Sequence, residues 1–396
     1  MCIRDSYPAG VPSSGHLISN NKIQDLGTYD AGSGINLWGG GILLYNNQYA
    51  TVSNNCMSNV RLGVQTGNFF GANPGAAVSI SGNTISARRR GIFHNLAYSS
   101  ASSYTLSNNT ITGLANVNET GTWDGILLSS LAVPSTTSNN TISAAGLTNT
   151  RTGIVVWNCQ SSTLISGGDI SEVNLGINVN NYEGYNSNAN NTTAIIDGVN
   201  IDNASIAGIK VHDNPSNSNG ATVAAEIRNN TETLGANAGV WVLGADASAD
   251  IHDNASTITG AVVGVDVDGG SAVIYRNTIT ANGTGVRAIN GGELTSTTQN
   301  FITNNTVDGI KIDATAGATG PINENDLSGN NAFAINDASG AAIDAECNWY
   351  GYSDEASVTA SVLGGALDIV SWLSNGIDDS GDNGFQPEAG ACIGIE

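Results

Sequence analysis

Two short patterns of apolar and polar residues alternate along almost the whole chain. The first is an apolar residue, two small or polar residues, asparagine, any residue, then isoleucine or similar. It reads Ile18-Ser-Asn-Asn21-Lys-Ile23, Val52-Ser-Asn-Asn55-Cys-Met57 and Ile80-Ser-Gly-Asn83-Thr-Ile85. It returns at Asn109, Asn140, Asn230, Asn254, Asn277, Asn300, Asn325 and Asn348, in steps of 23 to 34 residues once the two asparagine-less repeats between Asn140 and Asn230 are counted. Gly168 and Val199 hold the equivalent place in two repeats that lack asparagine. The second pattern is Gly-Ile/Val-x-apolar, beginning at Gly41, Gly63, Gly91, Gly125, Gly153, Gly176, Gly208, Gly239, Gly264, Gly285 and Gly309.

Each beat predicts a short strand with period-2 alternation, so Ile209 and Val211 face one way and Lys210 the other. One such coil cannot bury its own apolar face. Stacked coils close a continuous core and pair each strand with its counterpart. The expected fold is an all-β, right-handed parallel β-helix of about 12 coils. At ~4.8 Å per coil it would form a rod on the order of 60 Å long. A stacked asparagine can bond its neighbours above and below at a turn, where backbone groups also need partners. The asparagines are therefore expected to be structural, with the ladder broken at Gly168 and Val199.

Composition agrees. Charged residues are 12% of the 396, Gly numbers 50, and hydrophobic residues reach 40%. That disfavours helical domains and wholesale disorder. The net charge of −22 with only three lysines, Lys22, Lys210 and Lys311, excludes nucleic acid and anionic membranes as natural partners. No stretch is apolar enough for a membrane helix. The cysteines form no C-x-x-C pair. Cys347 and Cys392 flank the last segment and are one candidate disulfide.

The two beats together resemble the repeat of the pectate-lyase-like superfamily over about Leu17 to Gly351. Cys347-Asn-Trp-Tyr-Gly351, Ser371-Trp-Leu373 and Gly384-Phe-Gln-Pro387 resemble the closing segment of large secreted β-helix proteins of Bacteroidetes-type bacteria. The resemblance implies an extracellular or cell-surface location and further modules beyond residue 396. Residues 7–351 are assigned to the β-helix, and 352–396 to a C-terminal cap leading into a linker. A short helix or loop is expected over Ser353–Val362. Met1–Ser6 matches the translated sequence of a common sequencing adapter and is expected to be a library artefact.

In the resembled superfamily the active face is the outward side of the strand that the Gly-Ile/Val beat resembles. Here that column reads Leu43, Gln65, Phe93, Leu127, Val155, Asn178, Lys210, Trp241, Asp266, Arg287 and Lys311. Its polar half offers a candidate catalytic set, Asp266, Asp268, Arg287 and Lys311. Such lyases neutralise a uronate carboxylate with acidic groups, often through Ca2+, and use Arg or Lys as base. Asp266, Asp268 and Asp313 are the candidate Ca2+ ligands, although no cofactor is required. The competing reading is an exposed stripe of alternating charges.

The apolar half suggests a glycan groove walled by insertions at Thr66–Ala77, Gly113–Asp124 and Asn180–Thr193. Its candidate binding residues are Phe93, Trp123, Asp124, Leu127, Tyr182 and Tyr185. Lys210, His212 and Trp241 are candidates on the polar half. The competing reading has the insertions simply covering aliphatic side chains. Arg228, His252 and Tyr275, beside Glu226 and Asp250, are read as a surface network. The leading expectation is a binding or adhesion scaffold for a polysaccharide or surface glycan, a monomeric rod within a larger protein. A polysaccharide lyase or hydrolase and a structural stalk are the alternatives.

Overall fold

A computed structural model describes residues 13–26, 39–45, 48–67, 77–97, 103–115, 121–148, 150–181, 191–214, 220–254 and 258–394. Contacts group the chain into two units, residues 1–204 with 216–223, and 205–215 with 224–396. Both are built from parallel β-helix coils.

In the first unit the Gly-Ile/Val beat forms strands Gly40–Tyr45, Cys56–Gly67, Thr84–Ala97, Trp123–Leu131, Arg151–Trp157 and Leu175–Asn180. Each pairs in parallel with the next, aligning Leu43, Gln65, Phe93, Leu127, Val155 and Asn178. In the second unit the series is Ala207–His212, Ala238–Leu243, Val263–Asp268, Thr284–Ile289, Ile310–Ile312 and Ile335–Asp337. Here Lys210, Trp241, Asp266, Arg287, Lys311 and Asn336 align. The alternate positions Ile209, Val240, Val265, Val286 and Ile310 are fully buried and form the core.

The asparagine ladder is present in both units. Asn55 donates its backbone N–H and its side-chain amide to Asn83 Oδ1 at 2.9 and 3.0 Å. The same double bond links Asn21 to Asn55, Asn83 to Asn109 and Asn109 to Asn140. In the second unit it runs from Asn230 through Asn254, Asn277, Asn300 and Asn325 to Asn348. The residue before the asparagine is left-handed, as at Asn108, Asp253, Arg276 and Gln299. Each asparagine thus follows a tight bend whose buried carbonyls it satisfies.

At Gly168 the side-chain ladder ends but the backbone rung does not. Asp169 N–H donates to Asn140 O and Asn200 N–H to Gly168 O, both at 3.0 Å. A Cβ on Gly168 would lie 2.4 Å from Asn140 O, so this tight coil has no room for a side chain. Asn140 turns its amide to the carbonyls of Leu106 and Ser138.

A second, shorter ladder is also present. Asn282 bonds Asn305, and Asn305 bonds Asn330, again through backbone and side chain together. Its motif is the same beat, Ile279-Thr-Ala-Asn282, Ile302-Thr-Asn-Asn305 and Leu327-Ser-Gly-Asn330.

The glycines of the second beat are required by close approach. A Cβ on Gly285 would lie 2.5 Å from Ile302 Cγ2 and 2.6 Å from the Gly309 carbonyl. That carbonyl accepts the Val286 N–H, so it cannot retreat without breaking a rung. Gly285→Ala is expected to destabilise the second unit by about 2–3 kcal/mol through overpacking. Gly365→Ala, where nothing lies within 4 Å, should be near neutral. Paired urea denaturation curves check this, and equal midpoints for the two variants would contradict it.

After Asn348 the chain forms the expected short helix α1 (Glu355–Ala360), with Asp354 accepting the Ser357 N–H as N-cap. Val362–Leu363 then adds to Ile335–Asp337. The final segment pairs Ser371–Leu373 antiparallel with Cys392–Gly394, and a disulfide joins Cys347 to Cys392.

Candidate functional site

Period-2 alternation in the second unit puts valines inward and holds Lys210, Trp241, Asp266, Arg287 and Lys311 outward, one coil apart. Lys210 Nζ sits 4.3 Å from the centroid of the Trp241 ring. This cation–π contact lets a partly desolvated ammonium rest on the indole face. Burial pulls the Lys210 pKa down, while Asp268 opposes the shift. His212, on the same strand, is pushed down to about 4 by burial, with Lys210 adding to the effect, so it is neutral at pH 7. Among the described residues the Trp241 indole N–H has no acceptor.

The carboxylates on this face are already engaged. Arg287 binds Asp266 in a two-pronged pair, Nε to Oδ1 at 3.0 Å and Nη2 to Oδ2 at 2.7 Å. That hydrogen bonding raises the pKa of Arg287, fixing it as a cation. Asp268 accepts from Asn290 Nδ2 at 2.8 Å, and Lys311 Nζ lies 3.3 Å from Asp313 Oδ1. Asp266, Asp268 and Asp313 therefore each face a separate protein partner. Among the described residues no group of three or more His, Cys, Asp or Glu side chains is placed to hold a metal ion. Asp266, Asp268 and Asp313, the expected Ca2+ ligands, do not form such a group. Arg287, tied to a carboxylate and raised in pKa, is also poorly suited to act as a base.

The apolar half of the column differs from the expected groove. Phe93, Leu127 and Val155 form a buried cluster, with Trp157 packed against it. Arg90 lies over the Phe93 ring at 4.4 Å and bonds Asp124 at 3.1 Å. Asp124 is buried, and desolvation raises its pKa against the pull of Arg90. Trp123 is wholly buried, its indole N–H donating to Ala87 O at 3.1 Å. The assignment of Phe93, Trp123, Asp124 and Leu127 to a glycan-stacking surface is thereby corrected. Their faces are packed against protein, so a sugar ring cannot reach them. Tyr182 and Tyr185 lie outside the described residues.

Beside this cluster His94 is buried and bonded to Thr66 Oγ1, its ring 3.7 Å from that of Tyr104. Burial pushes its pKa down to about 3. An unfolded histidine titrates near 6.5. Between those values the unfolded chain binds a proton that folded His94 refuses, so stability is full above pH 6.5 and falls toward pH 3. His94→Gln should flatten this slope in amide exchange of the first unit measured against pH. An unchanged slope would contradict the assignment.

Arg228, His252 and Tyr275 form the expected surface network. His252 bonds Asp253 at 2.8 Å, its ring stacks on Tyr275 at 4.8 Å, and Arg276 grips Asp253 at 2.6 and 2.7 Å. Arg228 pairs with Glu226.

Residues 13–152 match the family described as "Protein of unknown function (DUF1565)". No curated protein and no solved structure matches the chain.

Proposed function

We propose that the chain is a secreted or cell-surface β-helix scaffold that binds glycan through the outward face of Lys210, Trp241, Asp266, Arg287 and Lys311. The observation that carries this is the Lys210–Trp241 stack. It holds an ammonium over one face of an outward aromatic ring, leaving the rest of the half-buried ring for a ligand, in a chain otherwise poor in cations. A sugar offers apolar C–H faces to an aromatic ring and hydroxyls or a carboxylate to a cation. The neighbouring carboxylates are paired, which supports binding over polysaccharide cleavage. The Cys347–Cys392 disulfide suits an oxidising compartment. The likeness of the closing segment to that of large secreted β-helix proteins of Bacteroidetes-type bacteria supports the same location.

Affinity electrophoresis of the full chain in gels containing neutral or uronate polysaccharide tests the reading. At least one polysaccharide should retard the protein. Trp241→Ala should weaken that retardation about tenfold, the equivalent of ~1.4 kcal/mol. Migration unaffected by every polysaccharide would favour a plain stalk, and retardation undiminished by Trp241→Ala would overturn the assignment of binding to this face.

A further inference from the structure

The second ladder ends at Asn330, and its end forms a pocket. Among the described residues no asparagine stacks on Asn330 as the next rung of this ladder, and helix α1 (Ser357, Ala360) lies on the far side. Between them lies a cavity of about 410 Å3, lined among others by Asn330, Asn331, Ala332, Tyr350, Tyr352 and Ser357. That volume lies within the usual range for small-ligand sites, roughly 300–1,000 Å3.

Two lining residues serve as fixed walls. Asn330 accepts from Asn305 and donates to the carbonyls of Ile302 and Leu327, so its amide is spent. Tyr350 is buried, its hydroxyl donating to Ala345 O at 2.6 Å. Tyr352, by contrast, is 49% exposed, and Asn331 is exposed. Apart from the two tyrosines, no acid or base lines the cavity, although the chain carries a net charge of −22.

We infer that this pocket is a binding site for an uncharged saccharide unit. An anion would meet no cation here, and a cation would find no carboxylate in the lining. A neutral pyranose matches both halves of the wall. Its C–H face can lie on the tyrosine ring or the alanine floor, and its hydroxyls can reach serine and asparagine groups. The site is separate from the Lys210–Trp241 face and does not depend on it.

Saturation-transfer NMR of the full chain carrying Trp241→Ala, which removes any contribution of the sheet face, with millimolar maltose, cellobiose or N,N′-diacetylchitobiose tests this, with digalacturonate as the charged control. At least one neutral disaccharide should receive saturation from the protein. Ala332→Phe fills the cavity from an exposed position and so leaves the core intact. It should abolish the transfer, and Tyr352→Ala should weaken it about tenfold, as loss of one aromatic contact predicts. Transfer that is present in the Trp241→Ala background separates this site from the sheet face. Absence of transfer to all three neutral sugars, equal transfer to digalacturonate, or transfer that persists in Ala332→Phe would overturn the proposal.

Discussion

Asn300→Leu should destabilise the second unit by about 3–5 kcal/mol. Asn300 is wholly buried. Its amide nitrogen donates to the carbonyls of Ile274 and Thr298 at 2.9 Å and to Asn325 Oδ1 at 3.0 Å. Its oxygen accepts both the backbone N–H and the side-chain amide of Asn277 at 3.0 Å. Leucine has a similar volume, so the loss is one of partners rather than of packing. The Asn277 N–H and two carbonyls would be left buried without water. Each kcal/mol lowers the melting temperature by about 2–4 °C in a body of this size, so a fall on the order of 10 °C is expected by calorimetry. Asn21→Leu, at a half-exposed rung, should cost about 1 kcal/mol or less because water replaces what is lost. Equal effects at the two rungs would contradict this account of the ladder.

The second large effect concerns the closing segment. The Cys347–Cys392 bond closes a loop of 45 residues. Chain entropy alone assigns such a loop about 4 kcal/mol of stabilisation. The bond also acts with packing. Leu373, Phe385 and Ala391 form a cluster against which Phe301 and Trp349 pack. The Phe385 N–H donates to Gln299 O at 2.9 Å, and Asn383 Nδ2 to Asp253 O at 2.8 Å. The strap therefore lies over the bends of the asparagine turns at Asp253, Arg276 and Gln299. A Cβ on Gly384 would come within 2.3 Å of Arg276 Cα, which shows how closely it sits. Cys392→Ser should release the strap before the coils unfold. Amide exchange at Leu373 and Phe385 should accelerate by orders of magnitude, while Ile274 and Ile302 keep their protection. Unchanged exchange at Phe385 would show that packing alone holds the strap.

The coil was legible in the sequence because its two beats carry its chemistry. Asparagine is demanded by buried carbonyls at a bend, and glycine by a carbonyl from the next coil. The outward column was legible for the same reason, since period-2 alternation and one-coil spacing determine which residues stand side by side. The second ladder repeats the beat, but Asn282 follows Asn277 by only five residues and reads as loop polarity. Trp123 misled because its indole is satisfied by Ala87, 36 residues away, a contact with no local sign. The pairing of Asp266 with Arg287 is likewise a property of the stack. Residue types at one-coil spacing suit a catalytic set and a closed ion pair equally, and only side-chain geometry separates them.

The Lys210–Trp241 face is proposed to bind polysaccharide without cleaving it. Incubating the full chain with a soluble polysaccharide that retards it, and measuring bound fraction and newly formed chain ends together, tests this most directly. Saturable binding lost in Trp241→Ala is expected, with no rise in unsaturated-uronate absorbance or reducing ends, whether or not Ca2+ is added. New chain ends that vanish when Asp266 and Arg287 are both replaced by alanine would contradict it.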